Sequence, residues 1–416
     1  MLAIKVLGAL GGFLFSLLVA RRFGDAALGR AELFVLAITV GATFFRIGRE
    51  GAVVKLFGAW SSRQEADRIW DRFRRWSLPF IAMACLAATV GWFAPIGFRG
   101  VALDGWFGLG MGAWLLIGWA GEALRGTGRV GWYAVLQPGW WMLMAAILIL
   151  LGAEGPRQVL AMTAVVLAVF GMLGTAFKFK RAAEGSTTSG DEPARKQDLS
   201  ALNRLAGPIW LGSLLHLVIS WADTALLATW MTEADVAHYR AAFRLAALLT
   251  FTQFAVNALG APTFGALHAA GDTDGLRRTV HRIGWMNTAV ALPGLLFLAL
   301  FGGVMLGLWG PAFREASVVS SLTILAAGQC FNALCGPVMY LLNMTGEERA
   351  GLVILAISAL GQLAAAFTLV PAWGLTGAAW SAAVGMFLWN GLGVLWIRRR
   401  HGFIMISLLN GWWRRS

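Results

Sequence analysis

Charge is what this sequence has least of. Asp, Glu, Lys and Arg make up 13% of the 416 residues, while 58% are hydrophobic; a soluble domain carries about 25% charged and about 45–50% apolar residues. That balance excludes a water-soluble globular fold and identifies an integral membrane protein. Cysteine is nearly missing: Cys85, Cys330 and Cys335 each stand inside an apolar run, where a lone thiol acts as a small hydrophobe, so no disulfide framework is indicated. The five histidines are scattered without ligand spacing, which gives no metal site. Catalytic signatures are lacking too. There is no phosphate-binding loop and no G-x-S-x-G serine, and Gly108-Leu109-Gly110-Met111-Gly112 lies in an apolar run with no strand before it. The net charge of +13 does not mark a nucleic-acid binder, because the basic residues cluster in short loops between apolar segments, as topology signals do.

What is present is a series of apolar runs, at 2–20, 31–59, 77–96, 105–121, 132–151 and 158–176, then 206–228, 240–266, 284–309, 316–343, 350–370 and 375–397. Each suits a membrane span of about 20 residues. The expected fold is therefore an all-α polytopic membrane protein of about 12 transmembrane helices. The first run is no cleavable signal peptide, since Leu18 spoils the small-x-small site and further spans follow. It is short, with only Lys5 as a leader, and a few residues are expected to be missing ahead of it. The organisation predicted is a six-helix bundle over 1–177, a cytoplasmic linker over 178–205, a second six-helix bundle over 206–397 and a basic cytoplasmic tail over 398–416.

Orientation follows from the loops. With the N-terminus inside, inward loops carry Arg63, Arg68, Arg72, Arg74, Arg75, Lys178, Lys180, Arg181, Arg277, Arg278, Arg398, Arg399, Arg400 and others, whereas outward loops hold only Arg21, Arg22, Arg30, Arg99, Arg157 and Arg314. Both termini are expected in the cytoplasm. The inward stretch SSRQEADRIWDRFRRW has a capping box at Ser62 and Glu65 and an apolar face of Ala66, Ile69, Trp70 and Phe73, which predicts a helix on the membrane surface. The polar stretch from Lys178, with its Gly/Ser/Thr middle, reads as a flexible tether.

The two halves repeat one another. Asp25-Ala26-Ala27-Leu28-Gly29 after the first span matches Glu233-Ala234-Asp235-Val236-Ala237 after the seventh, and Glu65, Arg68 and Trp76 match Asp274, Arg277 and Trp285. Thr127-Gly128 following Leu124 matches Thr345-Gly346 following Leu342. With an even number of spans each, both halves insert with the same polarity, and the transport site is expected at the midplane between them.

Charges inside spans mark candidate function, since one near a helix centre in lipid costs about 2.5–3.5 kcal/mol. On a continuous second span Arg46, Arg49 and Glu50 fall within one sector of about 100°, with Lys55 opposite. This face lines a basic, watery cavity, or else it is a buried Arg/Glu pair that pins two helices. In the seventh span Ser213, His216, Ser220 and Asp223 share one face, and in the eighth Gln253 and Asn257 do so with Thr250, near Arg244 and Arg240. Asp223 and His216 are candidates for carrying a coupled proton or sodium ion; no other cofactor is indicated. Gln329, Asn332, Gln362 and Asn390 read as interhelical glue.

Two stretches, VARRFGDAALGRAELFVLAI and WADTALLATWMTEADVAHYRAAFRLAALLTF, resemble the span-loop-span signature of polysaccharide flippases in the multidrug/oligosaccharidyl-lipid/polysaccharide (MOP) exporter superfamily. The stretch NMTGEERAGLVILAISALGQLAAAFTLVPAWGLTGAAWSAAVG is similar to their "TG...N...LIP.yG..GAA" segment, with Gln362 where asparagine is expected. The resemblance implies two six-helix bundles in a V, opening alternately to either side, and a lipid-linked saccharide as cargo, carried from the cytoplasmic to the outer leaflet of a bacterial inner membrane. It implies no enzyme activity, and as partners membrane lipids and other polysaccharide-assembly membrane proteins. An anionic diphosphate suits Arg46 and Arg49, and sugar hydroxyls suit Ser220, Asp223, Gln253 and Asn257. Two other readings stay open: a multidrug/cation antiporter of the same superfamily, which wants an acidic cavity, and a membrane saccharide polymerase or ligase, which wants a large outward loop.

Overall fold

The computed structural model describes residues 2–61, 66–93, 96–98, 101–176, 192–250, 253 and 263–406. Among the described residues the architecture is carried by α1 (Leu2–Phe23), α2 (Asp25–Arg46), α3 (Arg49–Ser61), α4 (Ala66–Phe93), α5 (Gly105–Gly126), α6 (Val130–Leu136), α7 (Pro138–Gly152), α8 (Pro156–Ala176), α9 (Glu192–Trp230), α10 (Glu233–Ala247), α11 (Thr273–Leu306), α12 (Ala316–Cys335), α13 (Val338–Met344) and α14 (Glu348–His401), and residues 263–269 are helical as well. A hairpin of two three-residue strands, β1 (Ile96–Phe98) and β2 (Val101–Leu103), joins α4 to α5.

Each of the twelve expected spans coincides with a helix, part of one or a bent pair, the eighth only as far as it is described. Among the described residues eight helices are long and apolar enough to cross a membrane by themselves, and α6 with α7 forms a further span bent by 43°. The 54-residue α14 holds two spans, separated at Gly374, whose φ of 56° and ψ of −125° are open to glycine and not to a residue with a Cβ. Leu151, Met172, Leu300, Val304 and Leu360 are among many large apolar side chains left exposed, as a lipid-facing surface requires.

Three sequence expectations change. The second span is broken between Arg46 and Arg49, at Ile47 (φ 52°) and Gly48 (φ 69°). A Cβ at Gly48 would stand 2.2 Å from the carbonyl oxygen of Ala206 and 2.6 Å from the nitrogen of Trp210, so the middle of α9 presses on bare backbone there. A left-handed β-branched residue costs about 1–3 kcal/mol and persists only where packing imposes it. Secondly, the basic stretch before the third span is no separate surface helix: from residue 66 it is the first part of α4, and Ile69 and Phe73 are buried, with Phe73 stacked on Trp119 at 6.1 Å. The Ser62–Glu65 box lies outside the described residues. Thirdly, residues 192–205, read as tether, are helical and extend α9 forward, with Pro193 in the first turn where its missing N–H costs nothing.

The chain forms two compact units, Met1–Leu214 and Leu215–Ser416, with the division inside α9. In the first, Trp119 is wholly buried among Phe80 (4.4 Å between centroids), Phe73 and their neighbours, and α4 approaches α5 so closely that a Cβ on Gly112 would sit 2.7 Å from the backbone of Ala84. Small residues permit such contact where no hydrophobic force drives helices together. In the second, Leu276, Val280, Val338, Leu341, Leu342 and Ile397 form a core, sealed by Phe403 and Met405 after α14.

The internal repeat is visible atom by atom. The hydroxyl of Thr127 donates to the carbonyls of Ala123 and Leu124 (both 3.1 Å), and that of Thr345 to those of Leu341 (2.9 Å) and Leu342 (3.5 Å). Each threonine ends a helix and is followed by a left-handed glycine, Gly128 (φ 76°) and Gly346 (φ 78°). Asp25 and Glu233 are likewise first residues of α2 and α10.

Candidate functional site

In the first unit, the break after Arg46 ends α2 and lets its last side chain fold back along the helix. Nε of Arg46 donates to the Ala42 carbonyl (3.2 Å) and Nη2 to the Thr43 hydroxyl (3.3 Å). The guanidinium lies against Gly118 of α5, where a Cβ would be 2.1 Å from Nη1 and 2.8 Å from Cζ. A cavity of about 140 Å³ opens beside it, lined by Arg46, Trp114, Gly118, Glu122, Tyr133 and Gln137. Glu122 Oε2 is 2.6 Å from Nη2 of Arg125 one turn on, so this carboxylate has its own cation. On the other side of Phe45 an apolar groove of about 290 Å³ runs between α4 and α5, lined by Phe45, Met83, Leu86, Phe107, Met111 and Leu115 among others. A cation at a polar cavity and an apolar slot thus meet at consecutive residues of α2.

The helix break separates the three charges expected on one face. Arg49, across the break, donates to the side chain of Asn203 at 3.2 Å at an exposed position. Glu50 is buried, with 8% of its surface exposed, and among the described residues its Oε2 has no hydrogen-bond partner. Neither hydrogen bond of Arg46 goes to Glu50, so a hydrogen-bonded Arg46–Glu50 pin is not what the structure contains.

The polar stripe of α9 also divides. Ser213, on the first unit's side of the division, donates back to the Ile209 carbonyl at 3.0 Å. His216 is exposed and meets Trp389 edge-to-face at 6.2 Å, and Ser220 is half-buried. Asp223 faces inward instead: it is wholly buried, Oδ1 accepts from the Thr224 amide (2.6 Å) and hydroxyl (3.2 Å), and Oδ2 accepts from the Tyr239 hydroxyl. Both oxygens are engaged, and the carboxylate joins α9 to α10. Arg240 lies over the rings of Trp221 (4.1 Å) and Phe243 (4.9 Å), while Arg244 is half-buried in the last turn of α10. Gln253 is buried and exchanges bonds with Asn332, its Nε2 donating to the backbone carbonyl (3.3 Å) and its Oε1 accepting from Nδ2 (3.4 Å). Gln362 donates to the Ile219 carbonyl at 3.0 Å. Asn257 lies outside the described residues.

Four cavity residues with polar side-chain atoms were not singled out from sequence: Trp114, Glu122, Tyr133 and Gln137. Glu122 had a legible signal, a carboxylate three residues before Arg125 at the end of an apolar run, the spacing at which helical side chains meet. The others carry no charge and have no sequence signal.

The MatE family model matches residues 208–368. "Probable flippase AglR" of Haloferax volcanii is 25% identical over 281 residues, which are 65% of this chain and 56% of that protein, so the match spans little more than half of that relative. Among solved structures, the inward-facing conformation of a multidrug resistance MATE family transporter of the MOP superfamily aligns with a TM-score of 0.70 at 15% identity, over 97% of this chain and 95% of that one. Lipid II flippase MurJ in an inward closed conformation aligns with a TM-score of 0.66 at 11% identity, over 97% of this chain and 88% of that one. The MatE match covers less than half of the chain, and the fold is shared over nearly the whole length: this is a multi-pass membrane protein with the fold of MATE-type transporters.

Proposed function

We propose that this protein is a transporter that moves a lipid-linked saccharide, anchored by a polyprenyl diphosphate, from the cytoplasmic to the outer leaflet by alternating access. The observation that carries the reading is Arg46: a guanidinium whose hydrogen bonds, among the described residues, go to oxygens of its own helix, at a cavity about 22 Å along a span that begins near Ala31, with an apolar slot beside it. An anionic diphosphate would receive charge-assisted bonds from that fork, and the prenyl chain would occupy the slot and the bilayer. The similarity to a protein named a probable flippase supports flipping as the class of activity. The setting we propose is a bacterial cytoplasmic membrane, with both termini inside and with other polysaccharide-assembly proteins as neighbours. In it, exposed His216 is better placed than Asp223 to carry a coupling proton.

The test is replacement of the arginine. Arg46→Ala should stop the glycan from reaching the outer surface and cause lipid-linked precursor to accumulate inside, at normal protein abundance, with Arg46→Lys rescuing in part because ammonium keeps charge and loses the planar fork. Transport recovered in the Arg46→Ala, Glu50→Gln double variant would remove the anion-binding role. The MatE match favours a second reading, export of cationic drugs. Efflux of a cationic dye that survives Arg46→Ala, with glycan transport absent in the native protein, would select it.

A further inference from the structure

At the opposite end of the first unit lies a second cationic cavity. It measures about 170 Å³ and is lined by Arg30 and Phe34 of α2, Asp104 and Trp106 at the start of α5, and Arg157 in the first turn of α8, with Pro156 and Leu160. At about 30 Å³ per water it has room for roughly five waters, or for a tetrahedral oxyanion with part of its hydration. Contacts that advance together along both helices, Phe34 with Phe107 and Gly110, Gly41 with Met111, Arg46 with Gly118, show that α2 and α5 run parallel. Arg30 therefore stands about 24 Å up the helix from Arg46, close to the thickness of the hydrocarbon layer.

Three charged side chains line this cavity: Arg30, Asp104 and Arg157. Asp104 is committed to the fold, for its Oδ1 accepts from the amides of Trp106 (3.0 Å) and Phe107 (3.2 Å) and its charge opposes the positive end of α5. Among the lining residues two guanidiniums, one half-buried and one exposed, stand beside this single carboxylate. Trp106 closes one wall and packs edge-on against Trp92 at 6.3 Å, the latter 65% exposed; paired tryptophans of this kind sit at the headgroup level of a bilayer. The cavity is thus built at the depth where phosphate groups are found.

We propose that Arg30 and Arg157 form a phosphate-group site at the interface opposite the Arg46 cavity, taking either an anionic phospholipid headgroup or the diphosphate of a lipid-linked cargo. The two sources share one chemistry, a tetrahedral oxyanion held by two forks beside an aromatic wall.

The test uses the full chain carrying Arg46→Gln, so that the other cavity does not contribute. Binding of inorganic pyrophosphate is followed by calorimetry, and retention of phosphatidylglycerol against phosphatidylcholine by native mass spectrometry from mixed nanodiscs. Adding Arg30→Gln and Arg157→Gln should weaken the bound probe at least about tenfold, and Lys at both positions should restore most of it. Loss of pyrophosphate binding assigns the site to free diphosphate; loss of phosphatidylglycerol retention assigns it to the lipid headgroup. Arg157→Gln alone, at an exposed position that the fold does not need, should give a partial loss of the same probe. Unchanged binding of both probes in the Arg157→Gln and double variants would overturn the proposal, whatever the result at Arg46.

Discussion

Replacing Gly118 with alanine moves Arg46 without touching its charge. The new methyl would be 2.1 Å from Nη1, 2.8 Å from Cζ and 3.2 Å from Cδ of Arg46. Restoring ordinary contact of about 3.5–4.0 Å requires a displacement of roughly 1.5 Å, and the side chain yields before the helix backbone because its outer atoms are the ones struck. The guanidinium then leaves the cavity wall it shares with Glu122 and Tyr133. A bond to a charged group is worth about 1.5–3 kcal/mol, so a fork displaced from its anion should lose roughly 10- to 150-fold in affinity for the diphosphate. Helix propensity acts the other way, as alanine is favoured over glycine by about 1 kcal/mol, and abundance should not fall. The reference substitution is Gly131→Ala in α6, where an added Cβ meets nothing within 4 Å. The assay is translocation of a lipid-linked saccharide in proteoliposomes, with pyrophosphate competition. Native transport and native competition in Gly118→Ala would refute both the position of Arg46 and the use made of it.

Asp223→Ala would strand the buried hydroxyls of Tyr239 and Thr224 and should destabilise the protein by about 2–5 kcal/mol, with Tyr239→Phe costing less, read from thermal unfolding in detergent; unchanged melting in both would remove the proposed join between α9 and α10. For topology, cysteine at Glu154, an exposed residue between α7 and α8, should label in intact cells, and cysteine at Ser189 only after permeabilisation, in a background with exposed Cys85 replaced by alanine. Labelling of Ser189 in intact cells would reverse the inside-outside assignment.

Much of the fold could be read because lipid demands long apolar runs and leaves few alternatives. The break at Ile47–Gly48 was not legible, since FFRIGREG satisfies helix periodicity and the backbone packed against Gly48 belongs to the middle of α9, some 160 residues later in the chain. The wheel argument that put Arg46, Arg49 and Glu50 on one face failed for that reason: it assumed a continuous helix. The shared face expected for Ser213, His216, Ser220 and Asp223 rests on periodicity, which says nothing of what stands opposite, and the partner of Asp223 is a tyrosine on the next helix. Residues 192–205 looked like tether because they are polar, although Pro193 ahead of Ala, Arg, Lys, Gln and Leu is also a helix start.

The paired helix ends at Thr127-Gly128 and Thr345-Gly346 make the chain its own control. A Cβ placed on either glycine meets nothing within 4 Å, so alanine there brings no clash and only the cost of a left-handed backbone, about 1–2 kcal/mol at each. The same perturbation can therefore be applied twice to one molecule, once in each compact unit. Any difference in how far Gly128→Ala and Gly346→Ala lower the melting temperature, or in which amides lose protection from hydrogen exchange, measures how independently the two halves unfold.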